Sequence, residues 1–154
     1  MSDIVSPEKR SKMMAGIRGK DTKPEMQIRK ALHARGFRYR LHDKGVPGKP
    51  DLVFPKYNAV IFVQGCFWHA HDCHLFKWPK SRPEFWKTKI EGNVSRDNVN
   101  FQKLRALGWR VLYVWECALK GKRRIGPDEL VESVCLWIKS DQKTGEISGA
   151  GDDE

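Results

Sequence analysis

PDLVFPKYNAVIFVQGCFWHAHDCH, residues 50–74, carries the information on which the fold turns. Two apolar runs, 51–54 and 59–63, flank the short polar break PKYN, the pattern of adjacent strands in a hairpin. The second run, AVIFV, is continuous and largely β-branched, which suits a central strand buried on both faces. Immediately after it, GCFWHAHDCH packs two cysteines, three histidines and a Phe-Trp pair into ten residues. A buried strand that runs straight into a Cys/His-rich loop places possible metal ligands and large aromatics at the end of a sheet.

The flanking segments build a domain around that hairpin. Downstream, 83–107 has a helical pattern with Gly92 as a break and Gly108 as a stop, and WRVLYVW at 109–115 is a second strongly apolar strand. A final helix spans 127–139, with Leu130, Val134, Trp137 and Ile138 on one face and Cys135 as a small buried side chain. Upstream, DKGVPGKP is a loop rich in turn formers, and 37–41 alternates as a short strand. Asp21-Thr22 with Pro24 and Glu25 starts a helix whose partial apolar face is Met26, Ile28, Ala31 and Leu32, ending at Gly36. Ser6-Pro7-Glu8 opens another helix reaching about residue 18. Helices, strands, a long helix, a strand and a last helix imply one α/β domain over 1–140, with a central mixed sheet flanked by helices. Residues 141–154, ending in GAGDDE, are expected to be a disordered acidic tail.

With 154 residues the chain has room for one well-formed core and not for two ordinary domains. It has no apolar run of membrane-spanning length and begins polar and charged, so a cytoplasmic protein without a membrane partner is expected. The formal charge is +10, and residues 7–40 hold eleven Lys or Arg against three Asp or Glu. A single charge run most often marks a solvated helix face. Alongside clustered aromatics and a metal cluster, it points instead to a polyanion such as nucleic acid.

Cys66, His69, His71, Cys73 and His74 lie within nine positions, and Cys117 directly follows the 109–115 strand. In a reducing compartment these cysteines are thiols or ligands and not disulfides. Cys66, His71, Cys73 and Cys117 make a closed four-ligand set for a structural Zn²⁺, with His69 an alternative to His71. Such a site would tie the loop after one central strand to the end of another and leave no open position for chemistry.

Pro50-Asp51 at a strand start, faced by a polar residue at the end of the next strand, resembles the PD-(D/E)xK nuclease core, although Gln64-Gly65-Cys66 replaces its acidic-x-Lys. Alone, Pro-Asp is a common turn dipeptide and Asp51 reads as a simple strand-start residue. RSKMMAGIRGKDT, PGKPDLVF, VIFVQGCFWHAHDCHLFKWP, RPEFWKTKIEGNVSRD and LGWRVLYVWECAL together resemble the very-short-patch repair (Vsr) endonuclease family, a divergent branch of that fold, over roughly residues 10–120. The resemblance implies a strand break 5′ to the thymine of a T:G mismatch in double-stranded DNA, the lesion left by 5-methylcytosine deamination.

It also implies roles at matching positions. Asp51 would bind a catalytic Mg²⁺ with the main-chain carbonyl of Val63, His69 would be the general base, and Glu25 would support the metal's water shell. Phe67, Trp68 and Trp86 would form an aromatic wedge, Met14 would add an apolar contact from the N-terminal helix (1–20), and Lys89 and Asn93 would lie near the recognised base pairs. A bacterial, nucleoid-associated monomer that meets mismatch-repair proteins is implied as well. Gln64 stands where the best-known members have histidine, and an amide can only donate or accept hydrogen bonds there.

These roles suit the residue types. Mg²⁺ takes hard oxygen ligands, imidazole titrates near neutrality, and wedging a base step costs least where pairing is already poor. Plain readings compete: Trp86 as packing, Glu25 as a charge favourable at a helix start, Phe67 and Trp68 as core. Two other functions fit parts of the pattern: a PD-(D/E)xK nuclease with another DNA specificity, or a non-catalytic zinc-containing DNA-binding module.

Overall fold

The computed structural model describes residues 22–73 and 75–149. The helix expected over 6–18, with Met14, lies outside them, as does His74. The elements in chain order are α1 (Lys23–Ala34), β1 (Arg40–Leu41), β2 (Leu52–Phe54), β3 (Ala59–Gln64), α2 (Pro83–Ala106), β4 (Arg110–Trp115), α3 (Pro127–Lys139) and β5 (Thr144–Ile147). One five-stranded sheet runs in the order β1-β2-β3-β4-β5, antiparallel across the first two pairs and parallel across β3-β4 and β4-β5. The mixed sheet and its flanking helices are the α/β architecture that the hydrophobic pattern implies.

Alternation along the strands divides the core in two. Leu52, Phe54, Ala59, Ile61, Leu112 and Val114 face Ile28 and Leu32 of α1 and Leu130, Val134 and Ile138 of α3. Val53, Val60, Phe62 and Val111 face the other way, onto Leu104 of α2. Both faces of β3 are therefore covered, which is why its sequence is apolar without interruption. Among the described residues no helix is long and apolar enough to cross a membrane.

The helix starts follow local chemistry. Thr22 caps α1 by accepting the Glu25 amide at its hydroxyl, with Pro24 in the first turn. Gly36, at φ 93, takes the left-handed turn that leads the chain out of it.

Three expectations need correction. Gly92 does not break α2, which continues through it to Ala106; a single glycine costs about 1 kcal/mol against alanine, too little to interrupt a long helix. The 37–41 strand shrinks to Arg40–Leu41 and is exposed. Residues 141–149 are not a tail, because Thr144–Ile147 forms β5 beside β4, and the acidic end of the expected tail, 150–154, lies outside the described residues. The strand propensity of β5 is weak, so the reason lies in tertiary contacts. Arg110 of β4 donates to the carbonyls of Trp137 (2.7 Å) and Ile138 (3.0 Å) at the end of α3 and to that of Gln142 (2.8 Å). Trp115 donates its indole N–H to Glu146 at 2.8 Å. Gly145 sits so close to Trp137 that a Cβ there would lie 2.6 Å from the indole nitrogen.

Candidate nuclease site and metal cluster

The site forms where the C-terminal ends of β3 and β4 meet the loop 65–73 and one face of α2. A cleft of about 820 Å³ opens there, lined by residues that include Val63, Gln64, Phe67, Trp68, His69, Lys89 and Asn93. Gln64, at the end of β3, is buried.

Asp51 immediately precedes β2, and its Oδ2 accepts the backbone N–H of Val63 at 2.7 Å across the hairpin. The carboxylate is thereby fixed to the strand that leads into the cleft. Glu25, buried in the first turn of α1, reaches the same corner. His42 follows β1, and its Nε2 lies 2.7 Å from Glu25 Oε2 and 3.8 Å from Asp51 Oδ1. Ligand atoms of Glu25, His42 and Asp51 all fall within 4.8 Å of one another and could hold a metal ion. A divalent cation fits this group: two carboxylates supply hard oxygens, and the buried Nε2 has no aligned hydrogen-bond partner among the described residues.

His69 lines the cleft itself, which Glu25, His42 and Asp51 do not, and it pairs with a different acid. Its Nδ1 is 2.5 Å from Asp97 Oδ2. A carboxylate only accepts, so Nδ1 is the donor of this pair, and in the neutral ring Nε2 is the nitrogen that could take a proton. Asp97 comes from α2, as does Asn93, whose amide donates to the carbonyl of Trp68 at 3.0 Å. The two are four residues apart and share one helix face. That face clamps the neighbouring residues Trp68 and His69, one through its backbone and one through its ring.

Phe67, Trp68 and Trp86 pack as a trio, with ring centroids 5.2 Å (67–68), 5.5 Å (67–86) and 5.7 Å (68–86) apart. All three are only partly buried. Phe67 and Trp68 present an apolar edge at the cleft, with Trp86 packed against both. Lys89, one turn beyond Trp86, is exposed.

The second cluster is below the loop. Cys66, His71, Cys73 and Cys117 bring their ligand atoms within 4.8 Å of one another. His71 Nδ1 is 3.5 Å from Cys66 Sγ and 3.6 Å from Cys117 Sγ. Zn–S bonds of about 2.3 Å and Zn–N bonds of about 2.0 Å at tetrahedral angles give S···N edges of roughly 3.5 Å. The donor set therefore fits a zinc ion. His71, and not His69, belongs to it, and stacks on Trp115 at 4.0 Å and 8°. Burial pushes the thiols of Cys66 and Cys117 above their ordinary values, so thiolate character here would come from a bound cation. Gly149 donates its N–H to Cys117 Sγ at 3.2 Å, so the chain beyond β5 reaches this cluster.

Two residues escaped sequence reasoning. Asp97 had a faint signal, since it falls on the same face of α2 as Trp86, Ile90 and Asn93 at helical spacing. His42 had none, because a lone His in a turn-rich loop says nothing about what lies above it.

Comparison with known proteins is consistent with this geometry. The family model described as DNA mismatch endonuclease Vsr matches residues 2–75. The chain is 42% identical to the DNA mismatch endonuclease Vsr of Escherichia coli (strain K12) over 151 residues, covering 98% of this chain and 97% of that protein. It is 50% identical over 119 residues to the type II nicking enzyme V.XorIIP of Xanthomonas oryzae pv. oryzae, covering 77% of this chain and 88% of the relative. With V.NmeAIP of Neisseria meningitidis serogroup A, also a type II nicking enzyme, the identity is 48% over 122 residues, 79% of this chain and 87% of the relative. A match that spans nearly the whole of both chains settles the family: this protein belongs to the Vsr DNA mismatch endonucleases.

Proposed function

We propose that the protein nicks double-stranded DNA 5′ to the thymine of a T:G mismatch, using Mg²⁺ or a related divalent cation at Asp51 and a structural Zn²⁺ at Cys66, His71, Cys73 and Cys117. One observation carries this reading: His69 and the Phe67–Trp68 edge line the same cleft, so a distorted base step and the attacked phosphate would meet one surface.

The residues divide the work. Phe67, Trp68 and Trp86 insert at the mispaired step, where unstacking costs least. Lys89 and Asn93 stand beside them for contacts to the flanking bases and backbone, and the basic segment with Met14 adds phosphate and apolar contacts. His69, oriented by Asp97, takes the proton of the attacking water at Nε2. Asp51 and Glu25 would hold the cation, and the main-chain carbonyl of Val63 would be a further oxygen ligand. When bound, that cation would offset charge on the phosphate and make water a better nucleophile. The zinc site holds loop 65–73 against β4, so His69 and the aromatics keep their places. A cytoplasmic protein acting alongside mismatch-repair proteins is the setting that suits this reaction.

The test is a nicking assay with Mg²⁺ on T:G, matched T:A and other mismatched duplexes. A nick confined to the thymine strand of T:G, lost in Asp51→Asn with DNA binding retained and slowed about 10²–10⁴-fold in His69→Ala, is the expected result. Equal cutting of matched DNA, or wild-type cutting by Asp51→Asn, would refute it.

A further inference from the structure

We infer that His42 supplies an imidazole nitrogen to the divalent cation held by Glu25 and Asp51, making this a mixed oxygen–nitrogen site that favours Mn²⁺ over Mg²⁺. The inference deepens the proposed nuclease reading and rests on Glu25 and Asp51 forming its cation site.

The backbone puts the ring there. Leu41 pairs with Leu52 across β1-β2, and the next step of that ladder sets His42 opposite Asp51, with the His42 N–H donating to the Asp51 carbonyl at 3.2 Å. His42 takes a left-handed conformation, φ 47, which an L-residue adopts at some energetic cost. That turn of the backbone accompanies a ring placed between two acids instead of in solvent, its side chain 13% exposed.

The polar contacts do not explain the ring as an ordinary ion-pair partner. Nε2 is 2.7 Å from Glu25 Oε2, close enough for an ion pair, but it makes no aligned hydrogen bond among the described residues. That same carboxylate oxygen already accepts from Arg29 Nη1 at 3.0 Å. The Nε2 lone pair and the two carboxylates instead converge as ligands do. Octahedral bonds of about 2.1 Å place neighbouring ligand atoms roughly 3.0 Å apart and opposite ones roughly 4.2 Å apart. The 2.7 and 3.8 Å separations lie around those values, and all three ligand atoms stay within 4.8 Å. Imidazole is a poor ligand for Mg²⁺ and a better one for first-row transition cations, of which Mn²⁺ is the weakest binder, and this sets the direction of the preference.

Zinc-loaded, full-length protein without DNA gives a readout independent of activity. Mn²⁺ binding is followed by electron paramagnetic resonance, with pulsed detection of nitrogen coupled to bound Mn²⁺ in protein carrying natural-abundance or ¹⁵N-labelled histidine. The wild type should bind one Mn²⁺ at least ~10-fold more tightly than Mg²⁺, with a coupling that changes on histidine labelling. His42→Gln should lose the coupling and about 10-fold or more of the Mn²⁺ affinity, but less than about 3-fold of the Mg²⁺ affinity. Asp51→Asn should remove the bound Mn²⁺ altogether. No histidine coupling in the wild type, or His42→Gln with wild-type Mn²⁺ affinity, would overturn the inference. The wild-type measurement decides even if the variant folds poorly. T:G nicking without the nitrogen signature would sink the role of His42 and leave the proposed function standing. The signature in a protein that nicks no T:G duplex would do the reverse.

Discussion

Replacing Asp97 with alanine tests whether α2 takes part in the chemistry or merely supports the loop. In the structure Asp97 Oδ2 is 2.5 Å from His69 Nδ1, and the two side chains are 28% and 25% exposed. The carboxylate fixes the tautomer and the orientation of the ring. A hydrogen bond to a charged group contributes about 1.5–3 kcal/mol, and solvent at a quarter-exposed pair favours the lower end. A loss of roughly 1.5–2 kcal/mol corresponds to a rate reduction of about 10- to 30-fold. Single-turnover nicking of a T:G duplex, with DNA in excess of its dissociation constant, isolates that step. Binding should change little, because Trp68 remains held through its carbonyl by Asn93. The double variant His69→Ala/Asp97→Ala should be no slower than His69→Ala alone, since Asp97 acts only through the ring. Wild-type rates in Asp97→Ala, or additive losses in the double variant, would refute the dyad.

Three further changes probe other parts of the molecule. Cys117→Ser should release the metal of the four-ligand cluster and cost at least about 3 kcal/mol, or about 10 °C in Tm for a chain of this size, by metal analysis and calorimetry. Metal retained with unchanged melting would exclude that ligand set. Trp68→Ala should reduce discrimination between T:G and matched duplexes in competitive binding while leaving the zinc content intact, because the wedge acts through distortion of the stack. Gly145→Ala should destabilise the fold by about 1–3 kcal/mol in chemical denaturation, since its Cβ would meet the Trp137 indole; Gly92→Ala, inside α2 with its Cβ 3.6 Å from the nearest atom of Arg96, is the control and should lose no stability.

Much of the fold is written locally in the chain. The continuous apolar run 59–63 suits a strand covered on both faces, and the periodicity of 23–34 and 127–139 supplies the two helices that cover one of those faces. The Cys/His spacing names the candidate cluster, down to a choice between two histidines, because the ligand atoms come from one short loop and the residue just after a neighbouring strand. That His69 sits beside Phe67 and Trp68 is legible for a similar reason, since all three fall in one short stretch, whereas Trp86 joins them from α2 through packing.

Tertiary structure decided what depends on contacts between distant segments. β5 has little strand character of its own, and it pairs with β4 because Arg110 and Trp115 offer partners to Gln142 and Glu146. The choice of His71 over His69 for the metal cluster needed the loop's course, which stacks one ring on Trp115 and turns the other to Asp97. Likewise His42, alone among turn formers in sequence, meets Asp51 only through the β1-β2 register and Glu25 only through the packing of α1. Hydrophobic period and motif spacing act over a few residues and can be read from the chain. Which buried polar atoms converge is set by strand register and helix docking, which no local pattern encodes.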